Sequence, residues 1–372
     1  MEKFDKLLEY GQSYWLDNLS REIITNGKLE NRIENEGLRG ITSNPKIFMN
    51  AISSGDLYDK QVKELAGNGK KTEDIYESLV VQDIQKACDM LRPVFDASNG
   101  EDGFVSLEVS PYLARETEKT KEEARRLYKE VDRPNCMIKI PGTKEGIPAI
   151  EEMLYEGINI NITLLFSVES YEAVAKAYLN ALERRAEEGK PIDKIASVAS
   201  FFLSRIDVLV DKMLLNDIIP QLEGDKKIVA GNLLGSTAIA SAKIAYQRFL
   251  KLFSGERWEK LAAKGARVQR PLWASTSNKT EAYCNTRYVE PLIGRHTVNT
   301  MPGETIKAFK EYGHLFPNTV QQNVDDAYRV FDDLKKVGIN LDEVTRQLVE
   351  EGIEKFIEPF NELLETVEEE AK

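Results

Sequence analysis

Eight short apolar or β-branched runs recur along the chain, separated by long amphipathic stretches, and this alternation constrains the fold more than any other feature. The runs fall at 13–17, 38–44, 104–110, 136–141, 158–164, 196–202, 271–275 and 297–301. Strands that alternate with helices pair in parallel through right-handed crossovers. Eight such units predict a closed (β/α)8 TIM barrel. A doubly wound open sheet would carry a G-x-G-x-x-G turn after an early strand, and this chain has none there. The 372 residues fit one barrel domain spanning 1–372, since such barrels run from about 200 to over 400 residues. The excess length falls in two helical excursions, about 45–102 and 206–269, and a helical C-terminal tail at about 302–372.

Local signals place several helix ends. Thr120-Lys-Glu-Glu123 predicts a capping box, with the Thr hydroxyl and the Glu carboxylate each satisfying a free backbone N–H. Ser167 precedes a helical stretch over 168–185, and Gly189 predicts its stop. In the tail, Gly338 to Leu341 predicts a break, and Glu368-Glu-Glu370 forms an acidic end.

Composition removes whole classes of function. Asp and Glu number 62 against 50 Lys and Arg, a net charge of -12. An acidic chain gains nothing from a phosphate backbone, so no nucleic-acid partner is expected, although a local basic pocket for a small phosphorylated ligand is allowed. Only two histidines exist, His296 and His314, which excludes a His-rich metal site and leaves almost no parts for Ser–His or Cys–His catalysis. Cys88, Cys136 and Cys284 are odd in number and widely spaced, which suits a reducing compartment. The charged start of the chain and the lack of a run of about 18 apolar residues predict no signal peptide, no membrane partner and a cytoplasmic location.

In a barrel, chemistry sits where strands end at their C-terminal side. Lys139 is flanked by Ile138 and Ile140 inside the fourth run. A lysine held in an apolar wall has its charged form disfavoured, and a neutral amine can form a Schiff base with a ketone. The alternative is a strand-end lysine that reaches solvent or pairs with a carboxylate. Asp17, at the end of the first run, and Glu108, inside the third, are candidate proton-transfer carboxylates, or else simple partners for lysines. Asn44, Asn161 and Thr163 offer an amide and hydroxyl face for a polyhydroxylated substrate, or a polar layer that satisfies the barrel interior. Arg205, Ser275 and Lys279 could clamp a phosphate.

Five motifs together resemble one family. They are Trp15-Leu-Asp17, Gly40-Ile-Thr-Ser-Asn-Pro45, Lys139-Ile-Pro-Gly-Thr-Lys-Glu-Gly146, Asn159-Ile-Asn-Ile-Thr-Leu-Leu-Phe-Ser167 and Trp273-Ala-Ser-Thr276. In order from about residue 17 to 300, they resemble transaldolase, most closely its longer single-domain bacterial type. The resemblance implies a cofactor-free, metal-free class I aldol mechanism on phosphorylated sugars. A dihydroxyacetone unit would pass from sedoheptulose 7-phosphate or fructose 6-phosphate to glyceraldehyde 3-phosphate or erythrose 4-phosphate, in the pentose phosphate pathway. It implies Lys139 as the Schiff-base lysine and Asp17 as the acid/base that takes the donor hydroxyl proton. Glu108 would serve imine formation through a water positioned by Thr163. Asn44 and Asn161 would hold the dihydroxyacetone unit, Ser200 and Phe202 would line the pocket, and Arg205 would bind phosphate.

The chain departs from the pattern at three places. Gly142 stands where the lysine motif normally has alanine. Thr276-Ser-Asn-Lys279 follows Ser275 where shorter members have an arginine two residues on, which leaves Lys279 as the second phosphate partner. The helical excursions match less strictly than the strands. Three other readings compete: an aldolase that releases free dihydroxyacetone, a phosphosugar isomerase with Lys139 as an electrophile, and an inactive sugar-phosphate binding protein. The sequence leaves any oligomeric partner undefined, and the aromatic tail around 353–360 is expected to fold over the barrel mouth.

Overall fold

Eight parallel strands pair in sequence order and close on themselves, the first bonded to the last, in a computed structural model that describes residues 2–371. They are β1 Gln12–Leu16, β2 Gly40–Ile41, β3 Phe104–Glu108, β4 Cys136–Pro141, β5 Ile160–Leu165, β6 Ser197–Phe202, β7 Arg270–Ala274 and β8 Thr297–Met301. The expected (β/α)8 barrel is therefore the architecture observed. The largest difference in extent is β2, two residues long where the apolar run spans seven. Leu38 packs outside the ladder, and Asn44 already caps the next helix, Pro45–Ser53.

Alternation along each strand separates two environments. On β4, Ile138 and Ile140 are fully buried against the helical shell, while Lys139 projects inward to reach β3. The lower part of the barrel is tied by a polar knot. Asp102 accepts from Ser13 Oγ at 2.6 Å, from Trp15 Nε1 at 3.1 Å and from Arg270 Nη1 at 3.0 Å. The Trp15 indole lies so close to β2 that a Cβ on Gly40 would stand 2.4 Å from it, so that position must be glycine.

Both excursions are helical, as is the tail. The Val168–Glu187 helix is capped by Ser167, whose Oγ accepts from Ser170 N at 3.0 Å, and Gly189 follows in the left-handed region at φ 70°. Thr120 and Glu123 do not cap a helix: they lie inside Thr117–Val131. Thr120 Oγ1 instead donates to Leu113 O at 2.9 Å, and Glu123 accepts from Ser110 N at 2.8 Å, so both residues fasten the loop after β3. In the tail, Gly338 breaks the chain between Val324–Lys336 and the 30-residue helix Leu341–Glu370. Among the described residues, no single helix is long and apolar enough to cross a membrane.

Candidate active site

The strand ends converge on a cavity of about 880 Å³ at the C-terminal mouth of the barrel. Asp17, Asn44, Lys139, Ser200, Phe202, Arg205, Ser275 and Lys279 all contribute to its wall. Eight of the eleven residues expected from the sequence thus meet in one place. Behind this wall, Glu108 bonds Lys139 and Asn161 bonds Ser200, while Thr163 is buried on β5 in register with Pro141.

Lys139 occupies the centre. Its Nζ donates to Ser43 O at 3.0 Å and to Glu108 Oε2 at 3.1 Å. The Lys139 and Glu108 side chains are each 5% exposed. The amine's surroundings are therefore polar, not apolar as its flanking isoleucines suggest: those side chains point the other way. Burial pushes the Glu108 carboxyl above its ordinary range, and the Lys139 ammonium opposes that rise. Asp17 behaves alike: burial raises it, while Lys139 and the Thr42 hydroxyl, which donates to Oδ1 at 2.9 Å, pull it down. Thr42 also bonds Thr300 at 2.7 Å, which fixes the Asp17 carboxylate against β8.

The amides differ from one another. Asn44 spends its side-chain oxygen on Ile47 N at 3.0 Å, which orients the carboxamide at the rim. Asn161 lies deeper: its Nδ2 donates to Ser106 Oγ at 3.0 Å and its Oδ1 accepts from Ser200 Oγ at 2.7 Å. Asn161 therefore links β3, β5 and β6 in register with the lysine on the neighbouring strand. Thr163 Oγ1 and Glu108 Oε1 are both buried with no hydrogen-bond partner among the described residues. Beyond Thr163 the strand is interrupted by Leu164 in the left-handed region at φ 58°, where the pairing with β6 shifts. Gly142 packs against this irregularity, and a Cβ there would stand 2.4 Å from Leu165 Cδ2.

Arg205, in the first turn of the Ser204–Met213 helix, lies 5.3 Å from the Phe202 ring, and its buried Nη1 has no partner among the described residues. Ser275, at φ 54°, bonds Ser204 Oγ to Oγ at 2.8 Å. Lys279 lies on the same loop and is close enough to Asp17 to favour its charged form.

The tail supplies the roof. Phe356 of the Leu341–Glu370 helix places its ring 5.7 Å from Lys139 Nζ and 5.9 Å from the Arg205 guanidinium. Gln347, Glu351 and Lys355 join it on the cavity wall. Tyr112 holds this helix from the β3 side, donating to Asn361 at 2.7 Å. The aromatic pattern of 353–360 anticipated the placement but singled out no residue. Thr42 and Ser43 lie in a motif the sequence made conspicuous, yet the Ser43 contribution is a backbone carbonyl, which carries no side-chain signal. Among the described residues, no cluster of His, Cys, Asp and Glu could hold a metal ion.

Comparison with known proteins gives one consistent result. The family description Transaldolase/Fructose-6-phosphate aldolase matches residues 14–367. The chain is similar to Transaldolase 2 of Nostoc punctiforme, 48% identical over 99% of this chain and 97% of that one. It is similar to the transaldolase of Trichodesmium erythraeum, 48% identical over 97% and 96%. It is also similar to that of Mycobacterium bovis, 45% identical over 95% and 93%.

Proposed function

The chain belongs to the transaldolase/fructose-6-phosphate aldolase family, and from that premise we propose how its own residues divide the work. It is a Schiff-base transferase of phosphorylated sugars, moving a dihydroxyacetone unit from a ketose phosphate to an aldose phosphate. Lys139 attacks the donor carbonyl, and loss of water leaves an iminium. Asp17 takes the proton from the hydroxyl two carbons along, that carbon–carbon bond breaks, and its electron pair enters the iminium to give an enamine. The aldose phosphate leaves. The enamine then attacks the acceptor aldehyde, Asp17 returns the proton, and water hydrolyses the imine.

The observation that carries this assignment is the buried Lys139 amine bonded to Glu108 on the wall it shares with Asp17. Its two raised carboxyls suit proton transfer, because a group titrating nearer neutrality moves protons more readily. Glu108 Oε1 and Thr163 Oγ1 are buried and without a hydrogen-bond partner among the described residues, and they suit a shared water in imine formation and hydrolysis. Asn44 and the Asn161–Ser200 pair face the dihydroxyacetone unit, with Phe202 beside it. Arg205, Ser275 and Lys279 take the phosphate, since a guanidinium fork matches its oxygens and the ammonium adds a point charge.

Trapping tests the reading. Fructose 6-phosphate is added, borohydride reduces the mixture, and the peptides are mapped by mass spectrometry. A dihydroxyacetone-derived adduct on Lys139 is expected, and erythrose 4-phosphate added before reduction should deplete it. An intact fold with no adduct on Lys139 overturns the assignment. An adduct that the acceptor does not deplete favours the free aldolase.

A further inference from the structure

The Ser204–Met213 helix carries Ser204, Asp207 and Asp211 at spacings of three and four, which puts them on one stripe. Each reaches the loop that follows β7. Ser204 bonds the Ser275 hydroxyl at 2.8 Å. Asp207 Oδ2 accepts from Tyr288 OH at 2.8 Å. Asp211 Oδ2 accepts from Tyr283 OH at 2.6 Å. The other oxygen of each carboxylate is also engaged: Asp207 Oδ1 accepts from Ala238 N at 2.7 Å and Asp211 Oδ1 from Gly235 N at 2.8 Å. Arg287 closes the far end, with its guanidinium 4.1 Å from the Tyr283 ring centre and a bond to Gly235 O.

Two side chains assigned to phosphate lie on opposite sides of this ladder. Arg205 is on the helix and Lys279 on the loop, between the Ser275 rung and the Tyr283 rung. The loop from Ser275 to Tyr288 contains no regular helix or strand; beside Lys279, Asn278 Nδ2 donates to Thr280 O and Tyr283 O, so the turn that carries Lys279 is tied to Tyr283. We propose that the Asp207–Tyr288 and Asp211–Tyr283 bonds are the positioning elements that hold Lys279 opposite Arg205. They would thereby set the spacing of the phosphate clamp and the preference for phosphorylated over plain sugars. The inference rests on the Schiff-base reading above, in which both cations face the sugar phosphate. Hydrogen bonds to a carboxylate are the strong kind, and the Tyr283 and Tyr288 rungs are of that kind. Tyr283 and Tyr288 do not touch substrate; they act through Lys279.

The test compares two donors that share Lys139 and differ in the phosphate. Dihydroxyacetone forms the imine without one, whereas fructose 6-phosphate needs the clamp. In Tyr283→Phe the concentration of fructose 6-phosphate giving half-maximal borohydride trapping should rise by about tenfold, and that of dihydroxyacetone should stay unchanged. In a Lys279→Met background the same Tyr283→Phe change should add nothing, because the residue it positions is gone. Tyr288→Phe repeats the test at the other rung should the first variant fold poorly. Unchanged half-trapping of fructose 6-phosphate overturns the inference. So does an equal rise for both donors, or full additivity with Lys279→Met, either of which makes the ladder a general support. If the unsubstituted protein traps neither donor, the Schiff-base reading itself falls.

Discussion

Lys139 carries both the legible and the hidden parts of this site. Its charge inside an apolar run is conspicuous, and so are Asp17 and Glu108, because a charge within a strand is costly unless paired or functional. The carbonyl that holds it, Ser43 O, is invisible in sequence, since every residue has one. Asn161 is also half hidden: its place on the inner face follows from the period of two, but its bonds to Ser106 and Ser200 depend on neighbouring strands. Lys139→Arg keeps the charge and cannot form an imine. Turnover should fall at least about a thousandfold, with an unchanged circular dichroism spectrum and no trapped adduct. Glu108→Gln should slow imine formation and hydrolysis while sparing carbon–carbon cleavage, seen in single-turnover trapping as a delayed adduct. Because burial holds the Asp17 and Glu108 carboxyls above their ordinary values, the acid limb of the kcat/KM profile should lie at higher pH than that of a free carboxylic acid.

At the scale of elements, the strands are the best-read part of the chain. Buried on both sides, they show as apolar runs whatever surrounds them, and 136–141 and 297–301 agree residue for residue with β4 and β8. The failures have local causes. The 38–44 run shrinks to two paired residues because the chain turns at Thr42 to start the capped Pro45–Ser53 helix. The Thr120–Glu123 pattern has the composition of a cap, yet the helix begins three residues earlier and both side chains are used by the preceding loop. The tail helix was legible as a helix and its aromatics pointed it to the barrel mouth, but its close contact with β5 was not legible, because nothing local encodes it. That contact runs through Gly352, where a Cβ would come within 2.9 Å of Leu164. Phe356→Leu keeps an apolar cover and removes the ring face beside Lys139 and Arg205. Cation–π contacts are worth on the order of 1 kcal/mol, so the half-saturating donor concentration should rise about fivefold in steady-state assays. Unaltered kinetics would reduce the ring to packing alone.

For the whole molecule, stability should carry a signature of Asp207. Its carboxyl is pushed up to about 6 by burial, against the backbone N–H of Ala238 and the Tyr288 hydroxyl, with Asp211 raising it and Arg287 lowering it. The folded state therefore binds this proton more tightly than the unfolded chain does. The resulting stabilisation is full below about pH 4 and is lost as pH rises to about 6. Asp207→Asn should remove that fall, so the difference in denaturation midpoint between the two proteins should change sharply across this window and little above it. A constant difference from pH 4 to pH 7 would mean that Asp207 titrates alike in both states.

The roof over the lysine has a consequence for how the chain is made. All eight strands have been synthesised by Met301, while the helix that brings Phe356 to Lys139 starts at Leu341. A nascent chain thus carries every strand of the barrel, and Lys139 with them, before it has the helix that covers the amine. Only when the last helix leaves the ribosome and settles across the mouth does a reactive amine become a selective one.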